Sequence, residues 1–579
     1  MSFHSIEKAW WKEAVVYQIY PASFLDSNGD GLGDIPGIVS KVRYIKSLGV
    51  DTIWLSPIFA SPQKDMGYDV ADYRSIHAPY GTVQDVQDLI DQLHAQKMRI
   101  LMDLVVNHSS DQHAWFKESR SSKTNPKRDW YIWRDPKYDE QGNRKEPNNW
   151  KSIFGGSAWA FDENTSQYYL ALFLPSQPDL NWESAEMRKA THDDMRFWLD
   201  RGVDGFRIDS MNLMSKHPDL PDGKVINDEP YQSGAEFFAS GPKMHDYIRE
   251  IRTEVLDKYD VMTVGELGFT KDEYSVSQYV AKDRRELNML FTGDIVDMDF
   301  GASGKYERND FHPRKIRKIT DLWQTAMPRF DGWNTVYLDN HDSGRSLSRY
   351  ASDSPEHRAM AAKMLATYLM TLSGTPFMLA GQEIGMANLG KEYGAESYID
   401  VEGKNYYKGV LKARGGDVSK MSDVLRELQL KARDHGRLPM QWDDSPNADF
   451  TTSEKAWMTI NKDYTEWNVA SQLDDPTSIM TYWKAMIALR KEYPDLFVYG
   501  SYVPLPESET GEMILGYERY SQEMRQKSVV LLNFSDQVQK VDVEKYKGFS
   551  TLISNQGGDT YKGSHVELRA FGAVVLLRT

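Results

Sequence analysis

The sequence predicts an α/β fold: a (β/α)8 barrel, or TIM barrel, with a small domain inserted after the third strand and a C-terminal antiparallel β-sandwich domain. Three observations lead to this prediction. Short β-branched runs alternate with helical patterns, the segment 109–178 is too long for an ordinary loop, and helical periodicity ceases after Leu496. A chain of 579 residues also exceeds the roughly 250–300 residues at which a single core stops growing.

Eight short apolar runs are the predicted barrel strands. Their nearly continuous apolar character is what a parallel sheet buried on both faces requires. Segments between them, such as 83–97, 185–201 and 356–372, show helical spacing. The alternation alone also fits an open doubly wound sheet, which stays an alternative at this point. The predicted strands are Val15–Tyr20, Thr52–Ile58, Arg99–Val106, Gly205–Asp209, Val261–Leu267, Leu287–Thr292, Thr335–Asp339 and Pro376–Ala380.

These patterns set the predicted domain boundaries. Residues 1–108 and 179–496 form the two parts of the barrel, and 109–178, rich in Trp, Asn and Gly, form the inserted domain. Residues 497–579 form the C-terminal β domain, because short alternating runs separated by turn residues replace the helical spacing. Lys391–Ser445 is polar and partly helical, which predicts a solvated insertion in the last barrel repeat.

Composition and charge exclude several functions. The net charge of −16 opposes binding to nucleic acid and to anionic membranes. No run reaches the roughly 18–20 apolar residues of a membrane span, and the first residues lack the apolar core of a secretory signal. The chain has no cysteine, which excludes disulfides and thiolate chemistry. We therefore expect a cytoplasmic protein, a monomer, whose partners are small molecules.

Four predicted strands end in polar motifs, at the position where barrels of this class carry reactive groups. One aspartate at such a place is commonly a helix cap or a turn residue, but four strand ends together favour chemistry. Glycoside cleavage with retention needs a protonated and an ionised carboxyl about 5–5.5 Å apart. Neighbouring strands, about 4.8 Å apart, can place two carboxyls in this way. The motifs are DLVVNH (103–108), GFRIDS (205–210), GEL (265–267) and LDNHDS (338–343).

In this order the motifs resemble those of glycoside hydrolase family 13, the α-amylase family. QPDLN (177–181) is similar to a motif of its oligo-1,6-glucosidase and α-glucosidase branch, and the likeness to fungal maltases and isomaltases covers essentially the whole chain. The resemblance implies that Asp209 is the nucleophile, Glu266 the acid/base and Asp342 the transition-state stabiliser. From charge alone, Arg207 should lower the pKa of Asp209, and two nearby carboxylates should raise that of Glu266.

The resemblance also implies residues that bind the substrate. His108 and His341 are expected to hydrogen-bond hydroxyl groups of a glucose unit, and Tyr68 to stack against its ring. Asp65 and Arg437 match residues that close a pocket around the non-reducing end in exo-acting members. These residues together predict a dead-end pocket rather than an open cleft.

Three further positions bear on specificity. Phe154 and Phe173 either line the pocket or pack in a core, and both interpretations stay open. Ser210, the residue after the nucleophile, lies on the leaving-group side. In related enzymes a Val there accompanies α-1,6 preference and a Thr or Ala accompanies α-1,4 preference. Because a small side chain leaves space, we expect a maltase that also acts on sucrose or maltotriose.

Other activities remain as alternatives. An oligo-1,6-glucosidase (isomaltase) would cut the other linkage, and relatives resembling sucrose isomerases or trehalose synthases transfer glucose to another sugar. A non-catalytic, transporter-associated relative is a remote alternative, because the three carboxylates are intact.

A Gly-rich turn near the N-terminal end carries oxygen donors at every second residue. This arrangement suits a hard cation such as Ca²⁺, and the resemblance implies a structural calcium loop. No organic cofactor is expected. The predicted ligands are Asp26, Asn28, Asp30, the backbone carbonyl of Leu32, and Asp34.

Overall fold

The fold is given by a computed structural model that describes residues 6–558, 560–561 and 564–578. Eight parallel strands are the centre of this structure. They are β1 (Val16–Ile19), β2 (Thr52–Leu55), β3 (Arg99–Val105), β4 (Gly205–Asp209), β5 (Met262–Leu267), β6 (Met289–Thr292), β7 (Thr335–Val336) and β8 (Thr375–Leu379).

The eight strands close into a barrel. Their order is β6-β5-β4-β3-β2-β1-β8-β7. A parallel bridge between Leu290 and Asn334 joins the two outermost strands, and the Thr335 hydroxyl donates to the Leu290 carbonyl at 2.7 Å. The predicted barrel is therefore confirmed, and the open doubly wound sheet is excluded.

The seventh strand is shorter than predicted. The sequence predicted Thr335–Asp339, whereas the strand ends at Val336. Asp339 belongs to the following loop, because its carboxylate accepts a hydrogen bond from the Ser346 backbone at 2.5 Å, where the helix Ser346–Tyr350 begins. The loop that carries His341 and Asp342 is thus tied to the helix behind it.

Helices follow most of the barrel strands, and several of them bury one apolar stripe. In Val83–Ala95 the stripe is Val86, Leu89, Ile90 and Leu93, and a Thr82–Asp85 capping box starts the helix. The helices are Trp10–Glu13, Ile35–Ser40, Val42–Ser47, Val83–Ala95, Ala114–Ser119, Ala185–Leu199, Ala235–Phe238, Met244–Glu254, Glu273–Val280, Asp294–Asp297, Pro313–Arg329, Ser346–Tyr350, Arg358–Thr371, Val401–Ala413, Ser422–Lys431, Val469–Leu473, Ile479–Glu492, Pro494–Phe497 and Glu507–Thr510.

Small antiparallel sheets lie between β3 and β4. Strands Trp133–Arg134, Gln167–Leu170 and Trp159–Asp162 pair in that order, and Lys137–Tyr138 pairs with Arg144–Lys145. A further short pair, Phe59–Ala60 with Asp72–Ile76, follows β2. The inserted sheet shares an apolar cluster with the loop after β4, and this contact places it at the carboxyl ends of the barrel strands. The cluster includes Trp150, Trp159, Leu170, Leu213 and Phe238.

The C-terminal part is an antiparallel β-sandwich, as predicted. Alternate residues of its central strand face opposite layers: Val529 and Leu531 face the sandwich interior, and Val530 and Leu532 face the barrel core. A five-stranded sheet packs against a two-stranded one. The strands are β9 (Ser501–Pro504), β10 (Ile514–Ser521), β11 (Gln526–Asn533), β12 (Gln539–Asp542), β13 (Ser550–Ser554), β14 (His565–Leu568) and β15 (Ala573–Arg578), in the orders β9-β10-β11-β15-β13 and β12-β14.

Lys391–Ser445 differs from the solvated insertion predicted for it. Its helices Val401–Ala413 and Ser422–Lys431 enclose a separate apolar cluster that includes Tyr398 and Leu428. Residues 432–442 are buried throughout. The interpretation as a solvated segment is wrong for this part, because its arginines pair with carboxylates inside the molecule. Among the described residues, no helix combines the length and apolar character that crossing a membrane needs.

Candidate active site

A single guanidinium group joins three carboxylates at the carboxyl ends of β3, β4 and β5. Arg207 Nη1 lies 2.9 Å from Asp103 Oδ1 and 2.7 Å from Asp209 Oδ1, and its Nη2 lies 2.9 Å from Glu266 Oε2. Arg207 and Asp209 share a face because they are two residues apart on one strand. In the β4–β5 register Ile208 pairs with the residue before Glu266. Asp209 and Glu266 therefore stand side by side on neighbouring strands.

Burial dominates the ionisation of these carboxyl groups. It raises the pKa of Asp209, and Arg207 opposes this shift only in part. Arg207 thus acts in the predicted direction, but the net shift is upward, because a buried charge loses hydration. Burial likewise raises the pKa of Glu266; Arg207 opposes the shift, and Asp209 and Asp342 add to it. The predicted direction for Glu266 is therefore found, with desolvation rather than charge repulsion as the main cause.

Asp342 has the opposite behaviour. Burial would raise its pKa, but His341, Arg433 and Arg437 hold it well below the usual value. Arg437 Nη2 lies 2.9 Å and Arg433 Nε 3.3 Å from Asp342 Oδ1. Burial lowers the pKa of His341, while His341 and the two guanidinium groups together hold down the pKa of Asp342.

Tyr68 and His341 form a stacked aromatic pair beside this carboxylate cluster. Their ring centroids are 5.4 Å apart and their planes differ by 10°. The Tyr68 hydroxyl donates to Asp103 Oδ2 at 3.0 Å, and His341 Nδ1 lies 2.8 Å from the Gln18 side-chain amide. Both rings are thereby fixed beside the carboxylates, and their contacts with substrate stay predictions.

A second buried network contains Asp65 and His108. Asp65 accepts a hydrogen bond from Gln177 at 3.0 Å, and the same amide nitrogen lies 3.2 Å from His108 Nε2. The ion-pair partner of Asp65 is Arg433, at 3.2 Å, rather than Arg437. Burial raises the pKa of Asp65 to about 7 and lowers that of His108 to about 4. His108 is thus neutral at pH 7 and can both donate and accept hydrogen bonds.

The two phenylalanines lie next to this network. The Phe173 ring is 4.8 Å from the His108 ring and 5.7 Å from the Phe154 ring. The Arg433 guanidinium lies 5.6 Å from the Phe154 ring centroid. Both rings are only partly buried, so they line the region around Asp65 and Arg433.

Ser210 occupies a strained position between the nucleophile and acid/base candidates. Its φ of 44° lies in the left-handed region, which residues with a side chain adopt rarely. Its backbone N–H donates to Glu266 Oε2 at 3.0 Å. The residue predicted to face the leaving group therefore contacts Glu266 directly.

Three residues of this region were missed or given no role from the sequence. Asp103 was visible in its strand-end motif. Arg433 and Asp400 lay in the segment interpreted as solvated, yet Asp400 Oδ2 is 3.3 Å from Arg433 Nε and 3.0 Å from Arg437 Nη1. The sequence signal for this network was the spacing of Arg433 and Arg437. Two arginines four residues apart can contact the same carboxylates.

The predicted cation loop is ordered by its own backbone. Asp26 accepts hydrogen bonds from the backbone N–H groups of residues 28, 29 and 31, and Asp34 from those of residues 27 and 37. Asn28 and Asp30 accept from the backbone two residues ahead. Across the part of the chain that is described, no three His, Cys, Asp or Glu side chains converge on a metal position. The all-oxygen donor set nevertheless matches the preference of Ca²⁺.

Comparisons with known proteins agree with this architecture. The family model for the alpha amylase catalytic domain matches residues 18–500. An alpha-glucosidase of Schizosaccharomyces pombe is 44% identical and covers 99% of this chain and 98% of its own, and an oligo-1,6-glucosidase of Parageobacillus thermoglucosidasius is 45% identical over 96% of each chain.

Two similar solved structures cover nearly the whole fold. Bacillus licheniformis trehalose-6-phosphate hydrolase superposes with a TM-score of 0.91 at 39% identity, covering 98% of this chain and 100% of that one. An isomaltulose synthase of Erwinia rhapontici gives 0.91 at 38% identity, covering 98% and 99%. With its closed barrel, its strand-end carboxylates and the family match over most of its length, the chain belongs to the α-amylase family of glycoside hydrolases.

Proposed function

We propose that this enzyme is a retaining, exo-acting α-glucosidase that removes terminal α-linked glucose from short oligosaccharides. The observation that carries the proposal is the Arg207 guanidinium, which holds Asp209 at 2.7 Å and Glu266 at 2.9 Å. Two carboxyl groups on one guanidinium are close enough for the separation of about 5–5.5 Å that retaining enzymes use. Relatives named alpha-glucosidase and oligo-1,6-glucosidase support the substrate class.

The reaction proceeds in two displacements. In the first, an Asp209 oxygen bonds to the anomeric carbon, the bond to the leaving oxygen breaks, and the Glu266 proton moves to that oxygen. In the second, water attacks the anomeric carbon, gives a proton to the Glu266 carboxylate and releases Asp209. The raised pKa of Glu266 favours the protonated form that the first step needs, and the lowered pKa of Asp342 favours the ionised form, which stabilises the positive charge that develops on the sugar.

The exo mode rests on the network around Asp65. The buried Asp65–Arg433 pair has the Phe154 ring beside Arg433 and the Phe173 ring beside Phe154, and we take it as the closed end of the site. Charged groups at a closed end recognise hydroxyls of a terminal sugar and leave no path for a continuing chain. We propose that this network binds the non-reducing glucose.

We further propose that α-1,4 linkages are preferred, because Ser210 is small and leaves space on the leaving-group side. A difference of about one methyl group is worth roughly 1–3 kcal/mol, which gives preference but not exclusion. The test is kcat/KM measured separately on maltose, isomaltose, sucrose and trehalose, with product analysis at high sugar concentration. Higher kcat/KM on isomaltose would overturn the maltase assignment, and accumulation of isomerised or transferred products would identify a transglucosylase.

We also propose that the loop with Asp26, Asn28, Asp30, Leu32 and Asp34 binds Ca²⁺ as a structural ion. The oxygen donors of this loop support calcium binding. An ion that binds only the folded protein raises the free energy of unfolding. Chelation should lower Tm, and added Ca²⁺ but not Mg²⁺ should restore it. A Tm unaffected by both treatments would remove the proposal, and Asp30→Ala should abolish the calcium response.

A further inference from the structure

The loop that follows Glu266 is held by one buried side chain from the neighbouring β4 loop. Asn212 is fully buried, and its Nδ2 donates to the Gly268 carbonyl at 2.7 Å. Its Oδ1 accepts from the Gly268 backbone N–H at 3.1 Å. One carboxamide therefore satisfies both backbone groups of a residue that lies two positions after Glu266.

This loop needs an external restraint. Phe269 has a φ of 61°, which is unfavourable for a bulky residue, and its side chain is 54% exposed. Its ring has an edge contact with Phe238 at 5.6 Å. A Cβ at Gly268 would meet nothing within 4 Å, so packing does not define that position. Beyond the β5–β6 pairing that ends at Leu267, the two hydrogen bonds with Asn212 hold the backbone at Gly268.

The same β4 loop also contacts the Glu266 carboxylate through the Ser210 N–H at 3.0 Å. Glu266 is thus restrained at its carboxylate by Ser210 and Arg207, and through its following backbone by Asn212. We propose that Asn212 is a positioning residue that sets the direction in which Glu266 delivers its proton to the leaving oxygen. This inference rests on the proposed glucosidase function, and it assigns Asn212 no contact with the substrate.

The experiment compares substrates that differ in their need for the proton. The leaving group of maltose is a sugar hydroxyl, which must be protonated as the bond breaks. The leaving group of α-glucosyl fluoride is fluoride ion, which departs with little assistance from an acid. We compare kcat/KM on the two substrates, because kcat/KM reports on the steps up to and including the first bond cleavage. Asn212→Ala should lower kcat/KM on maltose about 10–100-fold and on α-glucosyl fluoride less than about threefold.

Asn288, directly before β6, offers a matched control because it contacts the strand that carries Glu266. It accepts hydrogen bonds from the Thr263 backbone N–H at 2.8 Å and from its hydroxyl at 2.9 Å, at the end of β5 opposite Glu266. Asn288→Ala should lower stability but leave the maltose-to-fluoride ratio unchanged. The nearly isosteric Asn212→Leu keeps the side-chain volume and decides the question if Asn212→Ala does not fold.

The outcomes separate this inference from the proposed function. Selective loss on maltose supports the positioning role. An equal loss on both substrates, or no loss, overturns it, since a purely structural role would affect both alike. If the unmodified enzyme turns over neither substrate, the proposed function itself fails.

Discussion

Removing the central guanidinium should make stability strongly dependent on pH. Arg207 is 3% exposed in its side chain and lies within 2.9 Å of both Asp103 and Asp209, which are also buried. Arg207→Met would leave these charges without a counter-ion. Breaking a buried ion pair in this way costs about 3–5 kcal/mol, a large part of a typical folding free energy of about 5–15 kcal/mol.

The sign of the pH dependence follows from the pKa shifts. Even with Arg207 present, burial raises the pKa of Asp103 to about 6 and raises that of Asp209. In Arg207→Met both folded-state pKa values rise further above those of the unfolded chain. At low pH both carboxyl groups of the variant are protonated, and no unpaired charge is buried. Its free energy of unfolding then falls as pH rises through 6 and beyond. Stability should therefore differ little between variant and wild type near pH 4 and most above pH 7.

Urea denaturation of both proteins at pH 4.5, 6 and 7.5 measures this difference. Arg252→Met is the control: Arg252 pairs with Asp257 at 2.6 Å, and each side chain is about one-quarter exposed. It should cost at most about 1 kcal/mol, as partly exposed pairs do, with little pH dependence. A difference for Arg207→Met that is constant with pH, or below about 1 kcal/mol at pH 7.5, would refute the reasoning.

Three further predictions follow from the site and the strands that form it. Glu266→Gln should lose about 10²–10⁴-fold in kcat/KM on maltose; on α-glucosyl fluoride, which can form the glucosyl-enzyme without the acid, added azide should speed turnover and yield α-glucosyl azide, detected by NMR. With the Asp65 pKa raised to about 7 by burial, the KM of wild type should rise as pH falls below 7, because protonation weakens the contact with Arg433; in Asp65→Asn that pH dependence should vanish. Gly205→Ala should cost at least about 3 kcal/mol in urea denaturation, because its φ is 145° and a Cβ would lie 1.8 Å from a backbone oxygen of β5, whereas Gly548→Ala, in open space, should cost about 1 kcal/mol.

Contacts between neighbouring strands were predictable from the sequence. Asp209 and Glu266 end consecutive parallel strands, and in such a sheet consecutive strand ends meet at one edge. The barrel and the C-terminal β domain followed from the periodicity of apolar residues, and the inserted domain followed from the length and composition of 109–178. The domain boundaries and the roles of the site residues stay predictions.

Contacts that depend on the path of long loops were not predictable. Arg433 reaches Asp65 and Asp342 from an insertion whose charged composition is typical of a solvated surface. These opposite charges meet only because of the path that the insertion takes in the folded protein. The local sequence pattern carries no information on that path. The net pKa direction at Asp209 was missed for a related reason, since burial depends on the complete fold.

The direct test of the central claim is mass spectrometry of the enzyme inactivated with 5-fluoro-α-glucosyl fluoride, which accumulates a covalent glycosyl intermediate on a retaining enzyme. We expect one fluoroglucosyl group per chain, mapped by peptide digestion to Asp209, and none in Asp209→Ala. A label on another residue, or turnover of the reagent without any covalent adduct, would contradict a double displacement at Asp209.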